Sequence, residues 1–260
     1  MNPLFVHHQQ LPSTNDFALQ WLKSADAGET MVVTTDDQIK GRGQRHYEWD
    51  QQPGLDLAWT LAHKRDATRT TQFAASAPFA FNKSIALRVC AVVESMLPQH
   101  VEIGIKWPND IMLRAGATHD VWQKCAGLLI ENTWRGSHWE GVALGIGMNV
   151  HSTRHTESGR IALSDVGPSI PDLQTISKQL CADISPLLMT QQTGQADESA
   201  YQHRLIGRNA WEVYTHCGVT GKGQIQEVDN HGRLCMQWEL AGDLLIVQDS
   251  KELTWDWLNR

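Results

Sequence analysis

Cysteine is sparse in this chain and follows no pattern of paired ligands. Its five copies are scattered and odd in number, and no two form a C-x-x-C pair. They are Cys90, Cys125, Cys181, Cys217 and Cys235. A disulfide framework or a cysteine-rich zinc site needs pairs or short spacings. The pattern therefore favours reduced thiols in a cytoplasmic protein.

Metal-binding spacing is also absent among the histidines. Twelve are present, but neither the adjacent His7 and His8 nor the region around His155 carries an H-E-x-x-H motif. A metal site built from histidines is therefore not expected, and the sequence leaves the ligands of any metal ion unknown.

Long apolar runs and an excess of positive charge are missing as well. No stretch reaches the roughly 18 consecutive apolar residues of a membrane-spanning helix, and the N-terminus lacks the pattern of a signal peptide. The formal net charge of -7 argues against general affinity for nucleic acid. The chain is expected to be globular, with neither DNA nor a membrane as partner.

A basic, glycine-containing stretch lies between two predicted strands. It spans residues 36–49, after the apolar residues 31–33 and before a turn and strand over residues 54–61. Glycine lets a ligand approach the backbone, and arginine binds anions. We predict a loop that closes over an anionic ligand, although a solvated hairpin has the same composition. Neither a dinucleotide fingerprint nor a P-loop matches it, because His46 stands at the third glycine position and G-x-x-x-x-G-K is absent.

Three further segments place polar groups at predicted strand ends. Lys106-Trp-Pro-Asn-Asp110 joins a cation, a ring, a turn and a carboxylate. Lys124-Cys-Ala-Gly-Leu-Leu-Ile-Glu131 begins a buried strand with a lysine followed by small residues, and Gly145-Ile-Gly-Met-Asn149 ends the next strand. Each segment alone also fits an ordinary turn or a solvated strand end.

Periodicity predicts an α+β chain in two parts. A turn and helix N-cap at residues 12–15 open a helix that runs to about residue 23. Apolar spacing indicates further helices over residues 79–97, 172–189 and 196–211, with a loop over residues 151–171. Strands joined by short turns indicate a mixed or antiparallel sheet. After residue 211 the pattern changes to short strands and turns, which is typical of a small barrel of the SH3 kind.

In their order along the chain, these segments resemble the motifs of biotin–protein ligases. The resemblance rests on Gly41-Arg-Gly-Gln-Arg45 followed by Trp49, on the three strand-end segments and on Ser13-Thr14-Asn15. It covers residues from about 4 to 253. It implies a class II aminoacyl-tRNA synthetase-like catalytic domain over residues 1–211, a mixed sheet backed by helices, and an SH3-like β-barrel over residues 212–260.

The activity that the resemblance implies has two steps, with ATP and biotin as substrates. Biotin's carboxylate would attack the α-phosphorus of ATP, with Mg²⁺ helping, to give biotinyl-5′-AMP and pyrophosphate. A lysine of a biotin carboxyl carrier domain would then take the biotinyl group and release AMP. A homodimer is compatible with this fold type.

The implied site residues fall into three groups. Those expected to be catalytic are Lys124, Arg42 and Asp110, the last acting on the acceptor lysine. Those expected to bind biotin are Ser13, Thr14, Asn15, Gln38, Gly41, Arg42, Gly43, Gln44, Lys124 and Gly127. Those expected to bind the nucleotide are Arg42, Trp49, Lys106, Asn109 and Asn149.

Some features depart from the family pattern. Gln44 replaces a frequent arginine, and His46 and Tyr47 follow where a glycine and a basic or polar residue are usual, so retention of the intermediate is expected to differ. No helix-turn-helix precedes the first predicted strand, so a second role as a DNA-binding repressor is not expected.

Two alternatives stay open at this point. One is a lipoate–protein ligase or octanoyltransferase of the same superfamily, which would carry an arginine-rich loop with a glycine triplet. The other is a non-catalytic biotin-binding module, which would have no use for Lys124 and Arg42.

Overall fold

A mixed sheet of seven strands organises the part of the chain that the computed structural model describes, namely residues 2–44, 48–66, 79–116, 120–136, 138–153, 159–190, 195–240 and 244–259. Its strands are β1 (Leu4–Leu11), β2 (Thr30–Gln38), β3 (Leu57–Lys64), β4 (Glu102–Lys106), β5 (Asp110–Arg114), β6 (Gln123–Arg135) and β7 (His138–Met148). The spatial order is β1-β2-β3-β7-β6-β5-β4. Strands β1 and β2 are parallel and the other neighbours are antiparallel, so the predicted mixed sheet is confirmed.

Helices cover both faces of this sheet. They are α1 (Thr14–Trp21), α2 (Ala80–Met96), α3 (Leu163–Val166), α4 (Leu173–Thr190) and α5 (Gln195–Arg204). Alternation along β2 separates two cores, because successive side chains of a strand point to opposite faces. Met31 and Val33 pack with Ala18 of α1, whereas Val32 belongs to the larger core that contains α2.

The apolar stripe of α2 confirms the predicted helix. Phe81, Ile85, Val89 and Val92 are all buried, at the spacing that places them on one side of a helix. They form part of the larger core under the sheet.

Across the described residues, no helix combines the length and apolarity needed to cross a membrane.

Two predicted boundaries on the C-terminal side were wrong. Helix α5 ends at Arg204 and not at residue 211, because Leu205 pairs with Ile105 of β4 and the chain then turns through Gly207 at a φ of 71°. The predicted loop over residues 151–171 contains the short helix α3. Helix α5 thus ends where the chain begins to pair with β4. The local periodicity of the sequence gives no sign of this long-range contact.

A second, antiparallel sheet follows these helices. Its strands are β8 (Trp211–His216), β9 (Val219–Val228), β10 (Leu234–Trp238), β11 (Leu244–Val247) and β12 (Leu253–Thr254), in the order β11-β10-β9-β8-β12. The predicted small β-unit is therefore confirmed as five strands among the described residues. The division into domains at residue 211 stays a prediction, although β8 begins there.

A buried lysine joins two helices to the second sheet. Lys83 of α2 is 1% exposed, and its Nζ donates to both carboxylate oxygens of Glu198 at 2.7 and 2.8 Å and to the Val228 carbonyl at 2.6 Å. Gln202 of α5 donates to the same carbonyl, and its Oε1 accepts from the Val228 N–H. Strand β9 is thus hydrogen-bonded to both helices.

Glu198→Leu is expected to lower the free energy of unfolding by about 2 kcal/mol, since removal of one partner leaves a buried charge. The loss should stay below that of a fully buried pair because the Glu198 side chain is 36% exposed. Urea denaturation measures it. Glu94→Leu, which breaks the exposed pair with Arg204 between the same helices, is the matched control and should cost under about 1 kcal/mol. Equal losses in the two variants would contradict the prediction.

Candidate active site

A cavity of about 270 Å³ lies over the middle strands of the mixed sheet. Most residues predicted for the site line it. These are Ser13, Thr14, Asn15, Gln38, Arg42, Gly43, Gln44, Trp49, Lys106, Asn109, Asp110, Lys124 and Gly127. Segments that are distant in the sequence are thus brought to one place.

Uncharged hydrogen-bonding groups form one end of the cavity. Ser13 caps α1, with its hydroxyl accepting from the Asp16 N–H. Thr14 donates through its backbone N–H and its hydroxyl to Gln38 Oε1, at 2.8 and 3.1 Å. Thr60 of β3 lies between Thr14 and Asn15, with its Oγ1 2.8 Å from Thr14 Oγ1 and 2.7 Å from Asn15 Oδ1. This network holds each amide and hydroxyl in a fixed orientation.

Two glycines of β7 allow side chains to lie directly on that strand. A Cβ at Gly145 would stand 2.2 Å from Asn15 Oδ1, and a Cβ at Gly147 would stand 2.2 Å from Cε2 of Trp49. Real Cβ atoms do not approach neighbours this closely. Glycine at these positions therefore places Asn15 and the Trp49 indole against the sheet.

Cations gather at the other end of the cavity. Lys124 Nζ lies 2.6 Å from Asp110 Oδ1 and 5.4 Å from the centre of the Trp49 ring. Lys106 Nζ lies 5.7 Å from the centre of the Trp255 ring. Burial lowers the pKa of Lys106, an effect that Asp110 partly offsets and Lys124 reinforces. Since both lysines line the cavity, their ammonium groups can face one anion together.

Arg42 joins the predicted loop to the sheet. Its guanidinium donates to Glu131 through Nη1 and Nη2, at 3.0 and 2.9 Å. It also donates to Asp16 Oδ1 through Nε and Nη2, at 3.2 and 2.6 Å. Burial lowers the pKa of Arg42, but the hydrogen bonds that it donates to Glu131 and Asp16, together with their negative charges, outweigh burial, and the pKa is raised. The group is therefore a fixed cation.

Three of the predicted site residues form hydrogen bonds with backbone groups of the protein. Gly41 is not among the lining residues, and its carbonyl accepts from the Trp49 N–H at 2.9 Å, which closes the base of the loop. Asn149 is fully buried away from the cavity, and its amide donates to the carbonyls of Lys124 and Ile161. Asn109 lines the cavity but donates to the Leu128 carbonyl. Their assigned roles in binding stay predictions.

The predicted loop is described on both sides of its tip. Arg45, His46 and Tyr47 lie outside the described residues, whereas Arg42 and Glu48 on either side form a β-bridge. The predicted loop began at residue 36, but β2 continues to Gln38, so the first three of its residues belong to a strand. The described residues on either side of the tip reach the cavity through Arg42 and Trp49.

Sequence comparison now decides the family. The sequence model of the biotin/lipoate A/B protein ligase family matches residues 7–149, more than half of the 260 residues. The chain belongs to this family. The matched region contains the loop, both lysine segments and the cavity residues of α1, whereas the second sheet lies beyond it.

Individual members of the family agree with this placement. A biotin–acetyl-CoA-carboxylase ligase of Mycobacterium tuberculosis is 28% identical over 165 residues, which are 60% of this chain and 56% of that protein. Its namesake from Paracoccus denitrificans is 32% identical over 140 residues, 53% of this chain and 51% of that protein. The chain thus spans about half the length of the curated relatives it matches.

A solved structure extends the likeness of fold to nearly the whole chain. A biotin protein ligase from Aquifex aeolicus, in complex with biotin and ATP, has a TM-score of 0.68 and covers 95% of this chain and 99% of that chain. Since the identity is 17%, this comparison establishes the fold alone. It confirms the predicted fold class, a mixed sheet backed by helices followed by a small β-unit, and the unit predicted as an SH3-like barrel is the antiparallel sheet β8–β12.

Several residues that line the cavity of this family member, or that hydrogen-bond to its lining residues, were missed by sequence reasoning. Two of them, Glu131 and Asp16, bind Arg42. Glu131 ends the Lys124 segment and Asp16 follows Ser13-Thr14-Asn15, but the sequence assigned neither a role. Thr60 is a buried hydroxyl in the apolar strand β3, which is a signal that could have been noticed. The cavity is also lined by four residues in or beside β12, namely Ser250, Lys251, Leu253 and Trp255. Nothing local in their sequence indicates this.

Metal ligands were left unknown by the sequence. Within the described ranges, no group of three or more His, Cys, Asp or Glu side chains is arranged to hold a metal ion. Asp110 and Glu48 are carboxylates that line the cavity, and Asp110 is paired with Lys124. His155 lies outside the described residues.

Proposed function

We propose that this protein is a biotin–protein ligase, which activates biotin with ATP and transfers it to a lysine of a biotin carboxyl carrier domain. One observation carries the proposal: a single cavity joins an uncharged hydrogen-bonding end to a cationic end. Biotin has a neutral ureido ring at one end and a carboxylate at the other. The nucleotide adds phosphates on the cationic side.

The hydrogen-bonding end favours biotin over lipoate or octanoate. Thr14, Asn15 and Gln38 present amides and hydroxyls that are nearly buried or half-buried. A dithiolane or an alkyl chain would desolvate these groups without pairing with them, and sites built to hydrogen-bond reject such analogues strongly. The ureido ring offers both donors and acceptors.

The cationic end supports adenylate formation. A biotin carboxylate oxygen forms a bond to the α-phosphorus of ATP, the bond between that phosphorus and the bridging oxygen breaks, and pyrophosphate leaves. Two anions must approach each other for this step, so neutralising charge lowers its barrier. Lys124 would lie where carboxylate and phosphate meet, with Lys106 and Arg42 on the phosphates. The buried indole N–H of Trp49, which has no partner within the described residues, is a further donor for the nucleotide.

Transfer to the carrier lysine is the second step. The amine nitrogen forms an amide bond with the biotinyl carbonyl carbon, the carbon–oxygen bond to AMP breaks, and AMP leaves with that oxygen. The amine must lose a proton, and we assign Asp110 to accept or orient it because this carboxylate lines the cavity beside Lys124. Water must be kept from the anhydride meanwhile, which the loop around Arg42 and Trp49 can do.

Mg²⁺ belongs to the proposal as a companion of ATP. The ion prefers oxygen ligands and is commonly held by substrate phosphates together with one or two carboxylates. We assign its direct coordination to the ATP phosphates, with Asp110 and Glu48 as the cavity carboxylates that could join them. Its contribution would be to neutralise charge on the phosphates.

Location and assembly are proposed on separate grounds. We place the protein in the cytoplasm because its five cysteines are free, four of them buried. Its partner would be the carrier domain of a biotin-dependent carboxylase. A homodimer could form by strand pairing at β1, which lies at one edge of the mixed sheet.

Pyrophosphate exchange into ATP tests the proposed function. Exchange that depends on biotin supports the ligase, whereas exchange that depends on lipoate or octanoate would assign the relative of the same superfamily. Absence of exchange with all three acids, in protein that binds biotin, would leave the non-catalytic binding module. Mass spectrometry of a carrier domain after incubation with ATP, Mg²⁺ and biotin then tests transfer.

Two alanine substitutions on β7 should each weaken the binding of a different ligand, one that of biotin and the other that of the nucleotide. Gly145→Ala adds a methyl group against Asn15 and is expected to weaken biotin binding by about tenfold or more, since it displaces a hydrogen-bonding group of the pocket. Gly147→Ala adds the same group against Trp49 and is expected to weaken nucleotide binding instead. Calorimetry with biotin and with a non-cleavable ATP analogue measures both.

Each of these variants is the control for the other, because the two positions are neighbours on one face of the same strand. Equal losses for both ligands in both variants would indicate general damage to β7. That result would contradict the assignment of separate biotin and nucleotide ends.

Gln44→Arg is expected to slow release of biotinyl-5′-AMP, because a guanidinium binds the phosphate with charge where the amide does not. Gln44 lines the cavity beside Arg42. Release of radiolabelled intermediate from preloaded protein measures the effect. Gln44→Met, which has similar length and no hydrogen-bonding amide, is the comparison variant. Unchanged release in Gln44→Arg would remove the claim.

A further inference from the structure

Arg42 is the residue on which two carboxylates converge, and its donors are almost fully used. A guanidinium has five N–H groups, and four hydrogen bonds go to Asp16 and Glu131. Glu131 occupies the Nη1–Nη2 edge and Asp16 the Nε–Nη2 edge. Bidentate binding of an oxyanion needs one such edge. A phosphate can therefore take an edge of Arg42 only if one carboxylate leaves.

Charge points to the same conclusion. One guanidinium between two carboxylates carries a local formal charge of about -1, which opposes an incoming anion. If either carboxylate moved away from Arg42, the local charge would be about zero and would no longer repel an anion. While both carboxylates are bound to it, Arg42 is therefore not available to bind a phosphate.

The two carboxylates differ in how firmly they are held. Glu131 is 26% exposed, uses both oxygens on Arg42 and also accepts from Asn15 Nδ2 at 2.9 Å. Asp16 is 55% exposed and uses one oxygen for both of its bonds to Arg42. Asp16 also lies in the first turn of α1, where the helix N-terminus stabilises a carboxylate that has no other partner. Release of Asp16 therefore breaks fewer interactions.

We propose that Asp16 occupies the phosphate-binding edge of Arg42 until an anionic ligand displaces it, whereas Glu131 remains bound and positions the arginine. This rests on the proposed function, in which Arg42 binds a phosphate of ATP. Asp16 is then a competitor of the substrate within its own site. Glu131 is a positioning residue that links Arg42 to Asn15, and so links the nucleotide end of the cavity to the biotin end.

The direction of the expected change tests this assignment. Asp16→Asn keeps the size of the side chain and removes its charge, so the protein should bind α,β-methylene-ATP with Mg²⁺ and saturating biotin about two- to fivefold more tightly, the range expected for an exposed ion pair. Glu131→Gln should weaken binding of both biotin and the analogue by about tenfold. Calorimetry at constant ionic strength measures all of these affinities.

Two controls isolate the contact with Arg42. Asp37→Asn removes the same charge from β2, where Asp37 accepts from Gln10 and not from Arg42, and should leave the affinity unchanged. In an Arg42→Ala background, Asp16→Asn should have no effect on the affinity. Damage to folding does not tighten binding, so a gain of affinity is a robust readout.

The inference is overturned if Asp16→Asn binds the analogue no more tightly than the unsubstituted protein, or if the gain persists without Arg42. It is also overturned if Glu131→Gln leaves both affinities intact. Failure of the proposed function looks different, because the unsubstituted protein would then show no biotin-dependent exchange and no binding of the analogue.

Discussion

Lys124→Met should lower the rate of biotin-dependent pyrophosphate exchange by about 10²–10³-fold, the usual effect of removing a group that stabilises charge in a transition state. Lys124 Nζ is held between Asp110 and the face of Trp49, so its position is fixed before substrates arrive. Methionine has a similar length and no charge. The loss would therefore report the ammonium group and not the packing.

The matched control is Lys64→Met, on β3 of the same sheet, where the lysine donates to the Leu22 carbonyl. That variant should keep its exchange rate within about threefold. Chemically prepared biotinyl-5′-AMP adds a second comparison. Because its carboxylate and phosphate are already joined, transfer to a carrier lysine should suffer less than exchange in Lys124→Met. Equal losses in both assays, or exchange near the original rate, would refute the role given to Lys124.

Arg42→Ala should reduce formation of biotinyl-5′-AMP in a single turnover by about 10²–10³-fold. The substitution removes the cation that faces the phosphate and leaves Asp16 and Glu131 without their shared partner. Both effects oppose binding of ATP, so the analogue affinity should fall together with the rate. Rapid-quench measurement of the intermediate provides the test.

Arg135→Ala is the control for this prediction, because Arg135 is 84% exposed and pairs with Glu140 at the far end of β6. It should behave like the unsubstituted protein. A second variant separates loss of the cation from exposure of the carboxylates. If Arg42→Ala combined with Glu131→Gln regains most of the rate, the unpaired Glu131 carboxylate caused the loss, and the proposed contact of Arg42 with phosphate is wrong.

Local patterns in the sequence were enough to place most of the fold. The apolar stripe of α2, from Phe81 to Val92, and the apolar run over residues 31–33 of β2 depend on residues near one another in the chain. The same holds for the lysine and glycine segments of the cavity, where strand ends and turns bring short motifs to the surface. These features could be predicted because their physical causes are local.

Contacts between distant segments could not be predicted in this way. Arg42 meets Asp16 and Glu131 across separations of 26 and 89 residues, and the register between β6 and β7 decides which side chains line the cavity. Asn149 illustrates the limit. An asparagine at a strand end has the same local sequence whether it faces a ligand or, as here, holds the backbone of Lys124.

The hydrogen bonds around Val228 bear on how the parts of this molecule could be recombined. Both backbone groups of Val228 are bonded to side chains of α2 or α5, while Leu253 and Trp255 of the second sheet form a wall of the cavity. A chimera that exchanges the second sheet between relatives would lose these bonds if it were joined at the start of β8. Grafting α5 together with the sheet would retain Glu198 and Gln202, so a workable crossover point lies before residue 195.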